Sequence, residues 1–340
     1  MKYSIGVGIT SACSFKCNHC YSGAGRSPVH LPPDRLFGFI DSFPVGAINL
    51  GTGESCMHPE FLQVVNGILE RGIPLAITSA GPSLEAMPDW MLSELHDVDL
   101  SLDFPTKELH DRARAPGAFR MVVDGLERCR RLGVTVSLAV CLMKANAEHI
   151  GALCRFAREK RIPVRINVYK PVYEPALSPS YDEFWNAFSV FFNETDVVAC
   201  SEPVLNAALA YHGHAHDGSG SPCGLGSFRI APSGDVLPCV YWCPTGISME
   251  MILEEPELLA RCGSQCHGLE APTKCFGCPW LNTCRGGCSG RRLYTGLTKP
   301  DIYCFYMRGE APPVLKPAEP GGERFIHSSY LCTVIGQPLA

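Results

Sequence analysis

The amino-acid sequence predicts an α/β fold, a partial (β/α)6 barrel followed by a smaller cysteine-rich domain. Six extended apolar runs alternate with amphipathic segments before residue 194. Right-handed βα crossovers build parallel sheets, and six of them without a doubly wound glycine fingerprint suit a curved, incomplete barrel. A chain of 340 residues exceeds the usual size of one domain, and most of its 19 cysteines lie in a front group or after residue 222.

The alternation of hydrophobic periods places the predicted elements. Strands are predicted to begin near Tyr3, Ala47, Ile73, Asp97, Val134 and Pro163. Helices are predicted over residues 34–43, 59–71, 88–96, 120–132 and 147–161, with a sixth after Tyr181. The predicted organisation is a barrel at 1–193, a linker at 194–222, a cysteine-rich domain at 223–310 and a Pro- and Gly-rich tail at 311–340. The tail is expected to lie over the surface without regular elements.

Composition excludes several classes of protein. A hydrophobic fraction of 46% and a charged fraction of 19% allow a buried core, which excludes wholesale disorder. A net charge of −5 lacks the basic excess that neutralises a phosphate backbone, so no nucleic-acid partner is expected. No apolar run reaches the ~18 residues of a membrane helix, and the N-terminus lacks a signal-peptide core, so a cytoplasmic location without membrane contact is expected.

The later strands share a polar face. Polar residues alternate with apolar ones in three stretches: Asp99, Ser101 and Asp103; Thr135 and Ser137; and Arg165, Asn167 and Tyr169. A fully packed barrel interior is branched and apolar, so this alternation predicts a lumen that holds a polar ligand. The alternative is a strand edge that faces solvent.

The sharpest motif is C-x3-C-x2-C at Cys13, Cys17 and Cys20, directly after the first strand. Three thiolates in one loop can ligate three corners of a [4Fe–4S] cube and leave the fourth iron open for a substrate or cofactor. The alternative is a zinc site, in which His19 would supply the fourth ligand from within a tight turn.

This motif resembles the signature of the radical S-adenosylmethionine (SAM) superfamily, C-x3-C-x-aromatic-C, with His19 at the aromatic position. Segment 50–55 (LGTGES) is similar to the family's Gly-Gly-Glu-Pro segment, although Thr52 and Ser55 depart from it. The stretch SLD at 101–103, followed by HDRAR at 110–114, is similar to a further family stretch. The resemblance implies that SAM binds at the open iron and contacts His19, Thr52, Gly53, Glu54, Ser101 and Arg114. Helix capping and surface charge are the alternative for Ser101 and Arg114.

A second cysteine pattern resembles the SPASM extension, C-x9–15-G-x4-C, gap, C-x2-C-x5-C-x3-C, gap, C. All seven cysteine positions match, at Cys223, Cys239, Cys275, Cys278, Cys284, Cys288 and Cys304. The resemblance implies one auxiliary [4Fe–4S] cluster on Cys275, Cys278, Cys284 and Cys304, and another on Cys223, Cys239 and Cys288. The fourth position of the latter is Cys243 or open to substrate, with Cys262 and Cys266 as further candidates. Zinc-ribbon geometry is the alternative.

Other residues carry weaker predictions. Residues 228–239 are predicted to form a hairpin with Ser233 and Gly234 at the turn, which would bring Cys223 and Cys239 together. The remaining cysteines are predicted to be buried thiols, with the alternative that Cys56 faces the site. The alternating histidines are predicted to lie in a solvated bridge, or alternatively to bind a metal: His212, His214 and His216.

The resemblance implies an oxidoreductase or lyase that cleaves SAM to a 5′-deoxyadenosyl radical and abstracts hydrogen from carbon. It also implies three [4Fe–4S] clusters and a flavodoxin- or ferredoxin-type reductant. The expected substrate is a small polar metabolite, such as a sugar or nucleoside acid, which is oxidised or decarboxylated. Two observations favour it: the first strand begins at Tyr3, which leaves no room for an N-terminal peptide-binding domain, and Val240 stands where sulfatase-maturing relatives carry Asp. Its predicted anchors are Arg165, Asn167, Tyr169 and Lys170.

Two alternatives to this substrate remain open at the level of sequence. One is a precursor peptide that is crosslinked, epimerised or oxidised. The more remote one is a non-catalytic multi-zinc or electron-transfer protein, which does not explain why the front cysteines accompany Gly53, Glu54 and Ser101.

Overall fold

The computed structural model describes residues 2–22, 27–214, 223–242, 244–318 and 333–339. They divide into two compact units. The first lies within residues 1–139 and 224–263, and the second within 140–223, 264–325 and 330–340. The sequential domain boundaries at residues 193, 222 and 310 stay a prediction.

The strands alternate with helices through most of the chain. The strands are β1 (Tyr3–Val7), β2 (Val45–Leu50), β3 (Leu75–Ser79), β4 (Asp97–Ser101), β5 (Val136–Leu142), β6 (Val164–Val168), β7 (Thr195–Cys200), β8 (Ser227–Ile230), β9 (Val236–Leu237) and β10 (Thr333–Pro338). The helices are α1 (Pro33–Ser42), α2 (Phe61–Glu70), α3 (Pro82–Ala86), α4 (Asp89–Ser93), α5 (Lys107–Ala113), α6 (Ala118–Leu132), α7 (Ile150–Lys160), α8 (Tyr181–Glu194), α9 (Pro203–Tyr211), α10 (Met249–Glu254), α11 (Leu258–Ser264), α12 (Leu281–Cys284), α13 (Ser289–Thr295) and α14 (Phe305–Arg308).

A mostly parallel sheet forms the first unit. Strands β1 to β5 pair with their neighbours in chain order, and β8 pairs with the free edge of β1, also in parallel. Strand β9 is antiparallel to β8, so the hairpin predicted at 228–239 is confirmed, with its turn at Ser233 and at Gly234, whose φ is +90°. The α/β prediction and the six predicted barrel strands are confirmed, each strand beginning within two residues of the expected position.

The sheet presents a row of linked polar side chains across four neighbouring strands. The Asn49 amide donates to Thr78 Oγ1 at 3.2 Å, and the Thr78 hydroxyl donates to the Asp99 carboxylate at 3.3 Å. Ser137 Oγ donates to the other Asp99 oxygen at 2.5 Å, in register with it on β5. Since side chains two residues apart share a face, the polar alternation predicted for β4 and β5 lies on one face of the sheet.

Local sequence explains where the main helices begin and end. Ser180 is the N-cap of helix α8: its hydroxyl accepts the Glu183 N–H while the Glu183 carboxylate accepts the Ser180 N–H. Gly133 is the C-cap of helix α6, and its φ of +71° favours glycine. Helix α2 buries Phe61, Val64, Val65 and Ile68 on one face, and each such side chain contributes about 1.5–3 kcal/mol of hydrophobic stabilisation.

The tail contains a strand, which corrects the expectation that it lacks regular elements. Strand β10 lies between β6 and β7 in the second unit and is antiparallel to both. Its Val334 and Ile335 side chains are buried, and the hydrophobic free energy of this burial offsets the conformational entropy that the ordered chain loses. The Pro- and Gly-rich segment at 320–322 lies outside the described residues. Between residues 195 and 211, β7 and α9 also form regular structure where a linker was expected.

Within the described part of the chain, no helix is long and apolar enough to cross a membrane.

Candidate functional site

The three front cysteines lie in the loop after β1, where the parallel strands end. Burial is the main reason that the pKa of the Cys13 thiol is raised to about 11, and the neighbouring thiols of Cys17 and Cys20 add to this increase. Burial also raises the pKa of the Cys17 thiol, against the lowering effect of the Arg114 guanidinium. The fold therefore brings the three predicted ligands together, with the Arg114–Asp103 ion pair close to Cys17.

Gly53 ties the end of β2 to this loop. Its φ is +65°, and an added Cβ would lie 2.5 Å from the Thr10 carbonyl oxygen and 2.6 Å from that of Ala12. The next N–H group, that of Glu54, donates to the Ala12 carbonyl at 2.8 Å. Only glycine combines this backbone conformation with so close an approach.

The Glu54 carboxylate is buried in a network at the start of α3. One oxygen accepts the Ser79 hydroxyl at 2.6 Å, the Ser83 N–H at 3.1 Å and the Ser83 hydroxyl. The other accepts the Ala80 N–H at 3.0 Å. Glu54 thus fixes the ends of β2 and β3 relative to each other, and its contact with SAM stays a prediction.

Asp103 joins two residues that the sequence placed at the site. Its fully buried carboxylate accepts Arg114 Nε and Nη2, each at 2.8 Å. It also lies 3.5 Å from Nε2 of His19, in the cysteine loop. Burial lowers the pKa of His19 below its usual value although Asp103 opposes the shift, so the imidazole is neutral at pH 7. The sequence placed Asp103 on a polar strand face and in the SLD stretch at 101–103, but its proximity to His19 depends on the tertiary fold.

Tyr21 is a second residue that the sequence analysis missed. Its hydroxyl donates to the Gly51 carbonyl at 2.9 Å and lies 3.1 Å from Thr52 Oγ1. Its ring contacts Tyr241 edge to face, with centroids 5.2 Å apart. Tyr21 follows Cys20 directly, so this bond anchors the C-terminal end of the cysteine loop. Ser101 lies at the end of β4, partly exposed, and its predicted SAM contact stays a prediction.

Four C-terminal cysteines form a second cluster of thiols, in the second unit. Burial raises the pKa of Cys275 to about 11, and Cys304 and Cys278 add to the increase. Burial also raises the pKa of Cys284 well above its usual value, with contributions from Asp301, Cys304 and Cys275. The structure therefore brings together the four cysteines predicted to ligate one auxiliary cluster.

The other predicted auxiliary ligands are only partly described. Cys223 and Cys288 are buried in the second unit and Cys239 is buried in the first, so their joint ligation of a cluster stays a prediction. Cys262 and Cys266 are buried as well, and the Cys262 thiol lies 3.5 Å from the Val236 carbonyl. Cys243, His216 and Cys332 lie outside the described residues.

The donor sets fit iron–sulfur clusters by their chemistry. Within residues that the structure describes, no three His, Cys, Asp or Glu side chains converge closely enough to hold a single metal ion. A [4Fe–4S] cube instead takes each thiolate on a different iron, so its ligands stand further apart than those of one zinc ion. The thiol sets at 13–20 and 275–304 contain the sulfur ligands that such a cube requires.

The predicted substrate anchors all lie in the second unit. Arg165 and Lys170 are buried, and the Tyr169 hydroxyl donates to the Glu174 carbonyl at 3.2 Å. The Asn167 side-chain oxygen accepts the Thr333 hydroxyl of β10 at 2.5 Å. Their contact with substrate stays a prediction.

A comparison with known families decides the assignment of the front site. The model of the radical SAM superfamily matches residues 7–157, which contain the cysteine loop, Glu54, Asp103 and Arg114. Residues 7–157 therefore form a radical SAM domain. The C-terminal cysteine pattern of the chain fits the SPASM type, and radical SAM enzymes use a [4Fe–4S] cluster and SAM.

Relatives of this radical SAM enzyme span nearly its whole length. The mycofactocin maturase MftC of Mycobacterium tuberculosis is 25% identical over 346 residues, covering 90% of this chain and 83% of that protein. The AdoMet-dependent heme synthase of Methanosarcina barkeri is 26% identical over 338 residues, covering 89% and 96%. The solved structure of Streptococcus suis SuiB bound to precursor peptide SuiA has a TM-score of 0.65 at 14% identity, covering 89% and 76%, which shows a shared fold.

Proposed function

We propose that this radical SAM enzyme is a maturase that modifies a ribosomally synthesised peptide. The observation that carries the proposal is its similarity to a mycofactocin maturase over 90% of the chain. The position of the first strand and Val240 favoured a small polar metabolite, but similarity over almost the entire length is the stronger support. We therefore replace the metabolite by a peptide as the principal substrate class.

The residues of the front site have separable roles in this proposal. Cys13, Cys17 and Cys20 would hold three irons of the cluster and leave one for SAM. When bound, the reduced cluster and SAM supply a 5′-deoxyadenosyl radical that abstracts hydrogen from carbon. Asp103 neutralises the Arg114 guanidinium and holds it near Cys17. Because His19 is neutral, it adds no further positive charge beside the cluster.

Backbone constraints keep this loop in place for radical chemistry. Gly53 and Tyr21 join the loop to the end of β2, and Glu54 joins β2 to the segment after β3. Reactants that are fixed in position and shielded from water react with each other before side reactions compete. These contacts would hold the site rigid during the short life of the radical.

The C-terminal cysteines would hold two auxiliary clusters, so the enzyme would contain three in total. Cys275, Cys278, Cys284 and Cys304 would ligate one, and the set with Cys223, Cys239 and Cys288 the other. Such clusters accept an electron from a substrate radical, which favours a net oxidation of the peptide. A flavodoxin- or ferredoxin-type protein would reduce the front cluster.

Consumption of a substrate from cell extract tests the substrate class. A host that carries Cys20→Ala in place of the wild-type chain should accumulate unmodified substrate. Its extract is incubated anaerobically with wild-type enzyme, SAM and dithionite, and mass spectrometry follows the species that change mass. Extract treated with protease beforehand is the control. Protease destroys a peptide substrate, so the treated extract should show no turnover. Turnover that survives the protease treatment would overturn the peptide proposal.

A second candidate substrate is a tetrapyrrole. Two relatives from Methanosarcina barkeri support it, the heme synthase and an Fe-coproporphyrin III synthase that is 30% identical over 48% of this chain. In the same extract, a tetrapyrrole survives protease and its visible absorption changes during turnover. Those two signals together would favour this candidate over the peptide.

A further inference from the structure

A buried ion network lies beside the C-terminal cysteines and has no role in the proposed function so far. Arg291 Nη2 lies 2.7 Å from a Glu202 carboxylate oxygen and 2.6 Å from one of Asp301. Arg291 Nε donates to both Asp301 oxygens at 3.0 Å. All three side chains are fully buried, and the guanidinium also packs over the Tyr303 ring at 4.9 Å.

Asp301 connects this network to the backbone at two predicted cluster ligands. Its carboxylate accepts the Cys288 N–H at 3.0 Å, and its carbonyl oxygen accepts the Cys304 N–H at 3.0 Å. Gly287 has a φ of +100°, and an added Cβ there would overlap the Asp301 side chain. The carboxylate therefore lies directly against the chain between Cys284 and Cys288.

The electrostatics of the network bear on any cluster bound there. Three buried ions are costly unless geometry and hydrogen bonds compensate for lost hydration, so such a set is weak evidence for a stabilising role. The Asp301 carboxylate is the charge of this network that contacts a cysteine segment directly, through the Cys288 N–H. The positive charges of Arg291, Lys170 and Arg292 oppose it in part. In a medium of low dielectric constant, a fixed negative charge near a cluster favours its oxidised state.

We propose that Glu202, Arg291 and Asp301 are positioning residues that hold the Cys288 and Cys304 segments together and lower the reduction potential of the adjacent auxiliary cluster. Cys304 belongs to one predicted cluster and Cys288 to the other, so one residue, Asp301, contacts ligand segments of both: its carboxylate accepts the Cys288 N–H and its backbone carbonyl accepts the Cys304 N–H. The inference rests on the proposed function, because it assumes that these cysteines bind clusters.

Two charge-removing variants test the inference in the reconstituted holoenzyme. Asp301→Asn keeps the size and an acceptor, and Glu202→Gln removes a charge at the start of α9, outside both cysteine segments. Iron content and a potentiometric titration followed by electron paramagnetic resonance are measured for each. The control is Asp41→Asn, which removes a carboxylate that pairs with Arg71 on the surface of the first unit.

Both variants should raise the reduction potential of the auxiliary clusters and leave that of the front cluster unchanged. The potentials of the control variant should equal those of the wild type. Loss of auxiliary iron with retention of the front cluster would also support the positioning role. Full iron content with unaltered auxiliary potentials in both variants would overturn the inference. If Asp301→Asn does not fold, Glu202→Gln decides by the same criteria. Wild-type protein that binds only about 4 iron atoms would instead contradict the proposed auxiliary clusters themselves.

Discussion

The two cysteine regions are built in different ways. The front loop is attached to the ends of β2 and β4 by Gly53, Tyr21 and the Asp103–His19 contact, all within the parallel sheet of the first unit. The C-terminal cysteines lie between short helices such as α12 and α14, each of four residues, and around a buried ion network. One site is supported by regular structure and the other has little regular structure of its own.

This difference predicts how each region depends on metal. A loop tied to a sheet keeps its shape without a cluster, whereas short helices around charged groups need their ligands to stabilise the folded state. Loss of the front cluster should therefore abolish the chemistry with little loss of stability, whereas loss of a C-terminal cluster should lower stability as well.

The largest effect should come from Cys17→Ala. The cluster loses one of three ligands, so 5′-deoxyadenosine formation from SAM should fall to background. Chromatography of anaerobic reactions with dithionite measures it. The control is Cys129→Ala, which changes a buried thiol in α6 of the same unit, outside the motif. Cleavage at the wild-type rate in Cys17→Ala would remove the basis for assigning the radical to this loop.

Gly53→Ala should also abolish cleavage, although no ligand is changed. Its Cβ would press against two carbonyl oxygens of the cysteine loop. Gly72→Ala is the matched control, because Gly72 has nearly the same φ, +64°, with no atom within 4 Å of the added Cβ. Both variants carry a backbone cost of about 1–2 kcal/mol, so only the contact with the loop separates them. Equal activities would show that the loop is not held by Gly53.

Glu54→Ala should lower the folding stability of the metal-free protein, independently of any effect on SAM binding. It leaves the buried Ala80 N–H without its acceptor, at a cost of about 1–3 kcal/mol, and leaves the Ser83 N–H with only Ser79 Oγ at 3.4 Å. Thermal unfolding of the metal-free protein measures the change, with Asp41→Ala as a surface control. An unchanged melting temperature would contradict the network seen at the start of α3.

The smallest effect concerns pH. Burial lowers the pKa of His110 from 6.5 to about 4, so its contribution to stability is present above pH 6.5 and is lost as pH falls toward 4. The loss for this one group is up to about 3 kcal/mol. Denaturation of the metal-free wild type and of His110→Gln between pH 7 and pH 4.5 should show a steeper decline in the wild type. Parallel curves would contradict the buried neutral imidazole.

The sequence predicted the sheet and the two cysteine sets because both can be recognised from local sequence patterns. Hydrophobic period and cysteine spacing need no knowledge of distant contacts. The Asp103–His19 contact, the role of Tyr21 and the Glu202–Arg291 pair were missed because the partners are far apart in the chain, 89 residues in the last case. Strand β10 was missed because it pairs antiparallel with β6 and β7, contacts that a Pro- and Gly-rich neighbourhood does not indicate.

The division of labour between the two regions is tested most directly by Cys278→Ala. The reconstituted variant is incubated anaerobically with SAM, dithionite and the substrate-accumulating extract, and 5′-deoxyadenosine and modified substrate are measured in the same reaction. The account predicts that 5′-deoxyadenosine still forms while modified substrate does not. Normal product formation by a soluble variant that lacks this cluster would contradict it.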